Sequence, residues 1–328
     1  MKLCIYIPTY NRPHSLYKQL SVLVPQVKSH KERARLIVND NDSPGSDYGN
    51  LAKEFENDNV CFLKNPGNIG ANANIALGFI FAKIDEFLWI VSDDDFVSEK
   101  AIETILSALK YDTDLISIVD CESYKEEMHY WTEDWEVVCE PVGLLTSGVY
   151  NMKTFSKHIS SAFYFHNTSF PHLAVVLSAI KAAGKLKYAY LPRKSVFVYG
   201  RPDVPLDRPP SINPYGLSLA GLPLISVLMP QEVANKFCWK WLKQWWSRFY
   251  EQEDGPYSFV FHNTLSLLKE RGIKFRAFLF LMNIRFHINL LLLVWFQRLP
   301  SFFRKAVSKT LLKHKSVLEF LLGFKSQG

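Results

Sequence analysis

Three consecutive carboxylates, Asp93, Asp94 and Asp95, follow the apolar run Phe87–Val91. Adjacent like charges repel, so clustering them at the end of a strand is costly without a cation. Mg2+ and Mn2+ take oxygen ligands, and are often held by one or two carboxylates together with substrate phosphates. A cation held there acts as a Lewis acid toward a departing diphosphate. The competing reading is a solvated acidic turn before the next helix, where carboxylates suit the helix N-terminal dipole.

Two further polar clusters follow apolar runs. Asp40, in "IVNDNDS", is placed to accept hydrogen bonds from a nucleobase or a ribose, as an acidic residue does in dinucleotide-binding sheets. The same residues, with Pro44 and Gly45, also suit an Asx turn leaving a strand. The stretch "NPGNIGANAN", Asn65 to Asn74, carries Gly67 and Gly70, which permit unusual backbone angles and close approach to a ligand. Its candidate ligand contacts are Asn68 and Asn72. It is neither a G-x-G-x-x-G turn nor a Walker loop, so the dinucleotide and P-loop readings fail.

The elements that must position these residues alternate. "KLCIYIP", "ARLIVND", "NVCFLKN", "EFLWIVS" and "DLISIVD" are apolar runs of strand length. Between them lie helical patterns in "HSLYKQLSVLVPQV", "ANANIALGFIFAKI" and "SEKAIETILSALK", the last with Ser98 as its expected N-cap. Such βαβα order with continuous apolar strands predicts a mostly parallel sheet covered by helices on both faces. Ligands bind beyond the carboxyl ends of such strands. Thr9 to Arg12, Asp40 to Ser43 and Asp93 to Asp95 all fall at those ends.

The ordered set "IPTYNRP", "NDNDS", "NPGNIGANAN" and "SDDD" resembles the family 2 glycosyltransferases of the GT-A fold over roughly residues 1–200. The resemblance implies a nucleotide-sugar donor and an inverting, single-displacement transfer that uses Mn2+ or Mg2+. By that match Pro8, Thr9, Tyr10, Arg12 and Asp40, with Asn68, Asn72, Asp93 and Asp94, are donor-binding residues. Asp93 and Asp95 match the metal-binding D-x-D element. The acidic pair that many relatives place opposite the donor is absent from "FHNTSFPHLAVVLSAIKAAGK". His172 stands in that neighbourhood, as a catalytic base or as a third metal ligand. Asp120 and Glu122, after the fifth strand, are the alternative bases, and a His172 in a helix N-terminal turn with a structural hydrogen bond is the competing reading. The Phe170–Pro171–His172 pattern resembles bacterial enzymes of O-antigen or capsule assembly, which implies a lipid-linked or oligosaccharide acceptor.

Composition fits a folded protein: of 328 residues, 48% are hydrophobic and 21% charged. Seven prolines interrupt the stretch from Val198 to Pro230. We therefore expect a GT-A domain over 1–215 and a helical, basic, aromatic-rich region over 216–328. From Lys274 onward Lys and Arg are opposed by Glu319 alone, and the stretch from Phe275 to Leu299 is strongly apolar. Arg285 and His287 interrupt that stretch, which favours a helix lying on an anionic membrane surface over one that crosses it. Trp295 and Phe296 would anchor such a helix. The other reading packs the region within the fold or a homo-oligomer. The basic residues concentrate in an apolar tail, which argues against nucleic acid as the partner. Five cysteines without metal-ligand spacing and the lack of a secretory signal pattern predict reduced, buried thiols in a cytoplasmic protein peripheral to the inner face of the membrane. Two other functions compete: a sugar-phosphate nucleotidyltransferase, disfavoured because "PTYNRP" replaces a Gly-rich basic loop, and a non-catalytic GT-A-like binding protein.

Overall fold

The structure is a computed structural model. It describes residues 1–45, 47–130, 145–168, 170–198, 221 and 224–238. An eight-stranded sheet has the order β3-β2-β1-β4-β7-β5-β8-β6. The strands are β1 Lys2–Thr9, β2 Ala34–Asp40, β3 Val60–Lys64, β4 Glu86–Ile90, β5 Leu115–Val119, β6 Lys125–Tyr130, β7 Gly148–Asn151 and β8 Lys185–Pro192. β1 pairs in parallel with β2 and β4, β2 with β3, and β5 with β8. β7 runs antiparallel between β4 and β5, and β6 antiparallel outside β8. The expected mostly parallel sheet is therefore present, and all five apolar runs became its strands.

The strands alternate faces, so each side of β1 has its own helical layer. Leu3, Ile5 and Ile7 share a core with Leu16, Leu20 and Leu23 of α1 (Pro13–Ser29) and with Ile102 and Ile105 of α4 (Ala101–Ala108). α2 (Asp47–Phe55) packs beside α1. Tyr6 points to the other face, where its hydroxyl donates to the Asn74 carbonyl of α3 (Ala71–Phe81) at 2.7 Å. α5 (Met152–Phe155), α6 (Ile159–Tyr164) and α7 (Pro171–Ala183) complete that layer. At the opposite end of the sheet from the acidic cluster, Arg35 of β2 reaches across β1 to hold buried Glu86 of β4 through two nitrogens, each at 2.7 Å. That bidentate pair locks the amino ends of the parallel strands.

Three local expectations are corrected. Ser98 does not cap α4; the helix starts after Lys100, and no side chain caps it. Ser98 is instead drawn into a bridge to the far end of the domain, with its hydroxyl donating to the Ser195 carbonyl at 3.0 Å. Cys61 lies on β3 but is exposed, because β3 is the sheet's edge strand, whereas Cys4 on central β1 is fully buried. Burial pushes the Cys4 thiol up to about 12. The strands β6, β7 and β8 were not among the apolar runs read from the sequence.

Residues 231–238 are helical, as expected, and Val233, Ala234, Phe237 and Cys238 are buried. Phe237 meets Phe170 edge to face, with ring centroids 6.3 Å apart. The first described part of the 216–328 region thus packs against the start of α7. The boundary at 215 and the apolar and basic tail from Phe275 lie outside the described residues. Among the described residues, no helix is long and apolar enough to cross a membrane.

The contact between α3 and β1 is close enough to test. A Cβ on Gly78 would sit 2.7 Å from the Tyr6 ring. That ring cannot retreat easily, because Asn39 donates to its hydroxyl at 3.0 Å and Asn74 accepts from it. Gly78→Ala is expected to destabilise the protein by about 1–3 kcal/mol despite the better helix propensity of Ala. Urea or guanidinium unfolding measures it, and an unchanged or raised midpoint would contradict the close packing.

Candidate active site

The strand order reverses at β1, which is flanked by β2 on one side and β4 on the other. Crevices form at such switch points, beyond the carboxyl ends of the strands. The first-strand segment and the acidic cluster meet there. Asp93 is 4% exposed, and both its oxygens are engaged. The Thr9 hydroxyl donates to Oδ2 at 2.7 Å, and Arg12 Nη1 donates to Oδ1 at 2.7 Å. The same Arg12 nitrogen lies 3.3 Å from Asp94 Oδ2. Burial raises the Asp93 carboxyl to about 6; the Arg12 charge and the Thr9 hydrogen bond oppose that rise, and the Asp94 charge adds to it.

Asp94 and Asp95 turn in different directions. The Ser92 hydroxyl donates to Asp94 Oδ1 at 2.5 Å, whereas Asp95 accepts from the Thr146 hydroxyl. Thr146 is itself fixed from below, because the buried Trp89 indole donates to its carbonyl at 2.9 Å. Thr146 precedes β7, the strand inserted between β4 and β5. Its place beside Asp95 follows from that antiparallel insertion, which no local pattern announces.

The second cluster adopts the Asx turn. Asp40 is wholly buried, and its two oxygens accept from the Ser43 amide at 3.1 and 3.0 Å and from the Ser43 hydroxyl. Ser43 in turn accepts from the Asn11 amide at 2.7 Å, tying the loop after β2 to the loop after β1. Asn11 and Asp42 both have positive φ, 51° and 66°, a conformation that Asn and Asp tolerate better than most residues. Two loops, each with a left-handed residue, therefore meet at the carboxyl ends of β1 and β2. Asp42, on the outer side of this turn, pairs with Lys64 at 3.1 Å.

The third cluster is built on a network that sequence reasoning missed. Asn39, Asn41, Asn65 and Asn74 are all buried. Asn39 Nδ2 donates to Asn74 Oδ1 at 2.7 Å, and Asn74 Nδ2 returns a bond to the Asn39 carbonyl at 3.1 Å. Asn65 donates to Asn41 Oδ1 at 3.0 Å, and Asn41 donates to Asn68 Oδ1 at 2.8 Å. Asn41 Oδ1 also accepts the Ile69 amide at 3.0 Å. These amides bind the ends of β2 and β3 to the glycine turn and to the start of α3. Asn68 is thus a member of the loop's own framework while remaining exposed, and Asn72 is half-buried on the first turn of α3. Pro8 and Tyr10 are half-buried on either side of Thr9. The asparagine-rich composition of the stretch was the available signal.

The base candidates come to the same edge of the sheet. α7 ends at Gly184, with φ 76°, and β8 begins at the next residue. β8 is parallel to β5, and the 13 residues of α7 span about 20 Å. His172, buried in the first turn of α7, therefore lies at the carboxyl edge. Asp120 and Glu122 follow β5 and are exposed. β5 lies two strand positions from β4, about 10 Å away. Among the described residues no three His, Cys, Asp or Glu side chains gather as a metal site, so His172 does not join Asp93 and Asp95 in one cluster. The adjacent carboxylates still suit a divalent cation that takes the rest of its shell from phosphate and water.

A mostly parallel sheet with an acidic strand end at its switch point is the arrangement expected of a GT-A-type transferase. The chain belongs to glycosyl transferase family 2, whose profile matches residues 4–171. In fold it is similar to residues 1–349 of TarS from S. aureus, solved in complex with UDP-GlcNAc, with TM-score 0.57 and 14% identity over 82% of this chain and 81% of that one. It is also similar to the mannosyltransferase PcManGT from Pyrobaculum calidifontis, solved with GDP-Man and Mn2+, with TM-score 0.50 and 10% identity over 83% and 75% of the two chains. No curated protein matches the chain in sequence.

Proposed function

We propose that this protein is an inverting, metal-dependent glycosyltransferase that moves a sugar from a nucleotide-sugar donor to a lipid-linked or oligosaccharide acceptor in bacterial surface-polysaccharide synthesis. The observation that carries this reading is the meeting of Thr9 and Arg12 with Asp93 to Asp95 at the switch-point crevice. Support also comes from the two similar structures, one holding UDP-GlcNAc and the other GDP-Man with Mn2+. The hexose or deoxyhexose transferred and the O-antigen or capsule acceptor rest on the sequence resemblance.

In this mechanism carboxylates of the Asp93–Asp95 strand end, completed by phosphate and water, would hold Mn2+ or Mg2+, and the ion would supply charge neutralisation for the departing diphosphate. Arg12 and the first turn of α1 offer positive charge and helix amides to the same phosphates. Asp40 holds the nucleoside loop in shape from within, and Asn68 and Asn72 line its glycine turn. The acceptor hydroxyl attacks the anomeric carbon from the face opposite the diphosphate, and the bond to the phosphate oxygen breaks. The configuration inverts, and the hydroxyl proton passes to His172 or, in the alternative, to Asp120 or Glu122.

Several outcomes separate these roles. Asp95→Ala is expected to lower transfer by roughly two orders of magnitude or more while the fold persists, since preorganised charge at a leaving group carries a contribution of that size. Full activity in excess EDTA would refute the metal role. His172→Ala should lower kcat by roughly two to four orders of magnitude with donor binding intact. Wild-type turnover in that variant would pass the role to Asp120 or Glu122, whose Asn and Gln variants should then fail. Donor identity is accessible through thermal shift on a nucleotide-sugar panel with Mn2+, because a bound donor stabilises the native state by linkage.

We also place the protein at the cytoplasmic face of the membrane, held by its basic, apolar tail from Phe275. Full-length protein should float with anionic liposomes at low salt, and high salt should weaken that only in part. Protein that stays at the bottom of the gradient would favour a tail packed within the fold or an oligomer.

A further inference from the structure

We infer that Arg12 is the resident counter-ion of the metal site: it holds Asp93 and Asp94 in the donor-free protein and releases them only to a cation that arrives with a nucleoside diphosphate. This inference rests on the metal-dependent reading above. Its basis is geometric. One guanidinium nitrogen, Nη1, serves two carboxylates, at 2.7 Å from Asp93 Oδ1 and 3.3 Å from Asp94 Oδ2. A divalent ion bound at about 2.1 Å from those oxygens would share that space with a like charge. Arginine and metal therefore exclude one another at these oxygens.

The two partners of Asp93 differ in freedom. Thr9 belongs to β1, is buried, and holds Oδ2 from a strand that pairs on both sides. Arg12 follows the loop at Asn11, and its side chain is 30% exposed. Its backbone carbonyl accepts the Leu16 amide at 3.0 Å, so the residue stays anchored at the start of α1. The carboxylate is thus held from within the sheet, whereas the guanidinium reaches it from a partly exposed side chain at the start of α1. A diphosphate offers the guanidinium planar, bidentate acceptors at least as good as those it leaves. Binding of the nucleotide would lift Arg12 from the carboxylates and expose them to the cation. Metal and nucleotide then bind cooperatively, and each tightens the other by the same factor. The device keeps stray divalent ions out of a site that has no substrate, and it makes Arg12 a positioning residue for the metal as well as a phosphate contact.

The test is Mn2+ uptake by the full chain, read from the free-ion electron paramagnetic resonance signal, with Mn2+ alone and with UDP or GDP. The wild type should take Mn2+ alone weakly and at least tenfold more tightly with a nucleoside diphosphate, a coupling of about 1.4 kcal/mol. Arg12→Gln should bind Mn2+ alone about tenfold more tightly than the wild type and lose most of the coupling. Mn2+ alone should also raise the melting temperature of that variant more than that of the wild type. Arg12→Lys provides the check if the Gln variant folds poorly. It keeps the excluding charge, so Mn2+ alone should stay weak, but it lacks the planar fork, so the coupling should fall. An Arg12→Gln protein that binds Mn2+ alone no better than wild type, or an Arg12→Lys protein with wild-type coupling, overturns the inference while leaving metal-dependent transfer standing. If the wild type binds a nucleotide but takes up no Mn2+ with it, the metal-dependent reading itself fails, and the inference falls with it.

Discussion

A carboxylate removed from water must be compensated, and Asp93 is the carboxylate around which this fold is arranged. Its compensation comes from elements far apart in sequence. Thr9 ends β1, Arg12 precedes α1, and both meet Asp93 because β1 and β4 are neighbours in the sheet. That adjacency depends on β2 and β3 having been laid down on the far side of β1, so that the chain must return through α3 to the near side. The switch point and the acidic site are thus one feature. Moving β4 elsewhere would strand a buried negative charge and also abolish the crevice.

The sheet secures this adjacency at both ends. At the amino edge, buried Glu86 of β4 is held bidentately by Arg35 of β2. At the carboxyl edge, the Asn39–Asn74 exchange and the Asn65–Asn41–Asn68 relay join the ends of β2 and β3 to α3. Amides are suited to that work because each offers donors and an acceptor without charge. The glycine turn is thus tied to the strand ends by uncharged amides, while Asp40 and the Asp42–Lys64 pair carry the charge of the neighbouring β2 turn.

The inserted antiparallel strand β7 divides the carboxyl edge into two parts. On one side lie the loops after β1 and β2 with the carboxylates Asp93 to Asp95, and on the other lie Asp120 and Glu122 after β5. Displacement with inversion requires the acceptor and its base to approach from the face opposite the leaving group. In the proposed reaction β7 would set Asp120 and Glu122 apart from Asp93 to Asp95 and so leave room for an acceptor. Thr146, held by Trp89 and bonded to Asp95, is the joint between the two parts.

Much of this was written locally. Continuous apolar runs ending in polar residues marked the five leading strands, because burial on both faces of a parallel sheet demands such runs. The carboxylate triplet, the "PTYNRP" segment and the asparagine-glycine turn were visible as types and spacings, and their common place at strand ends followed from βαβ geometry. Tertiary structure alone decided the rest, for identifiable reasons. Asp40 could have faced a ligand or closed an Asx turn, and its burial with both oxygens on Ser43 depends on the neighbouring β1 loop. Ser98 had the right residue type for a cap, yet a bridge to residues almost a hundred positions away, Ser195 and Val196, claimed it. The pairing of Arg12 with Asp93 and Asp94 spans more than eighty residues. Local pattern records which groups carry charge and which segments must be buried, whereas the partner of each charge is set by strand order, which emerges only when the whole sheet closes.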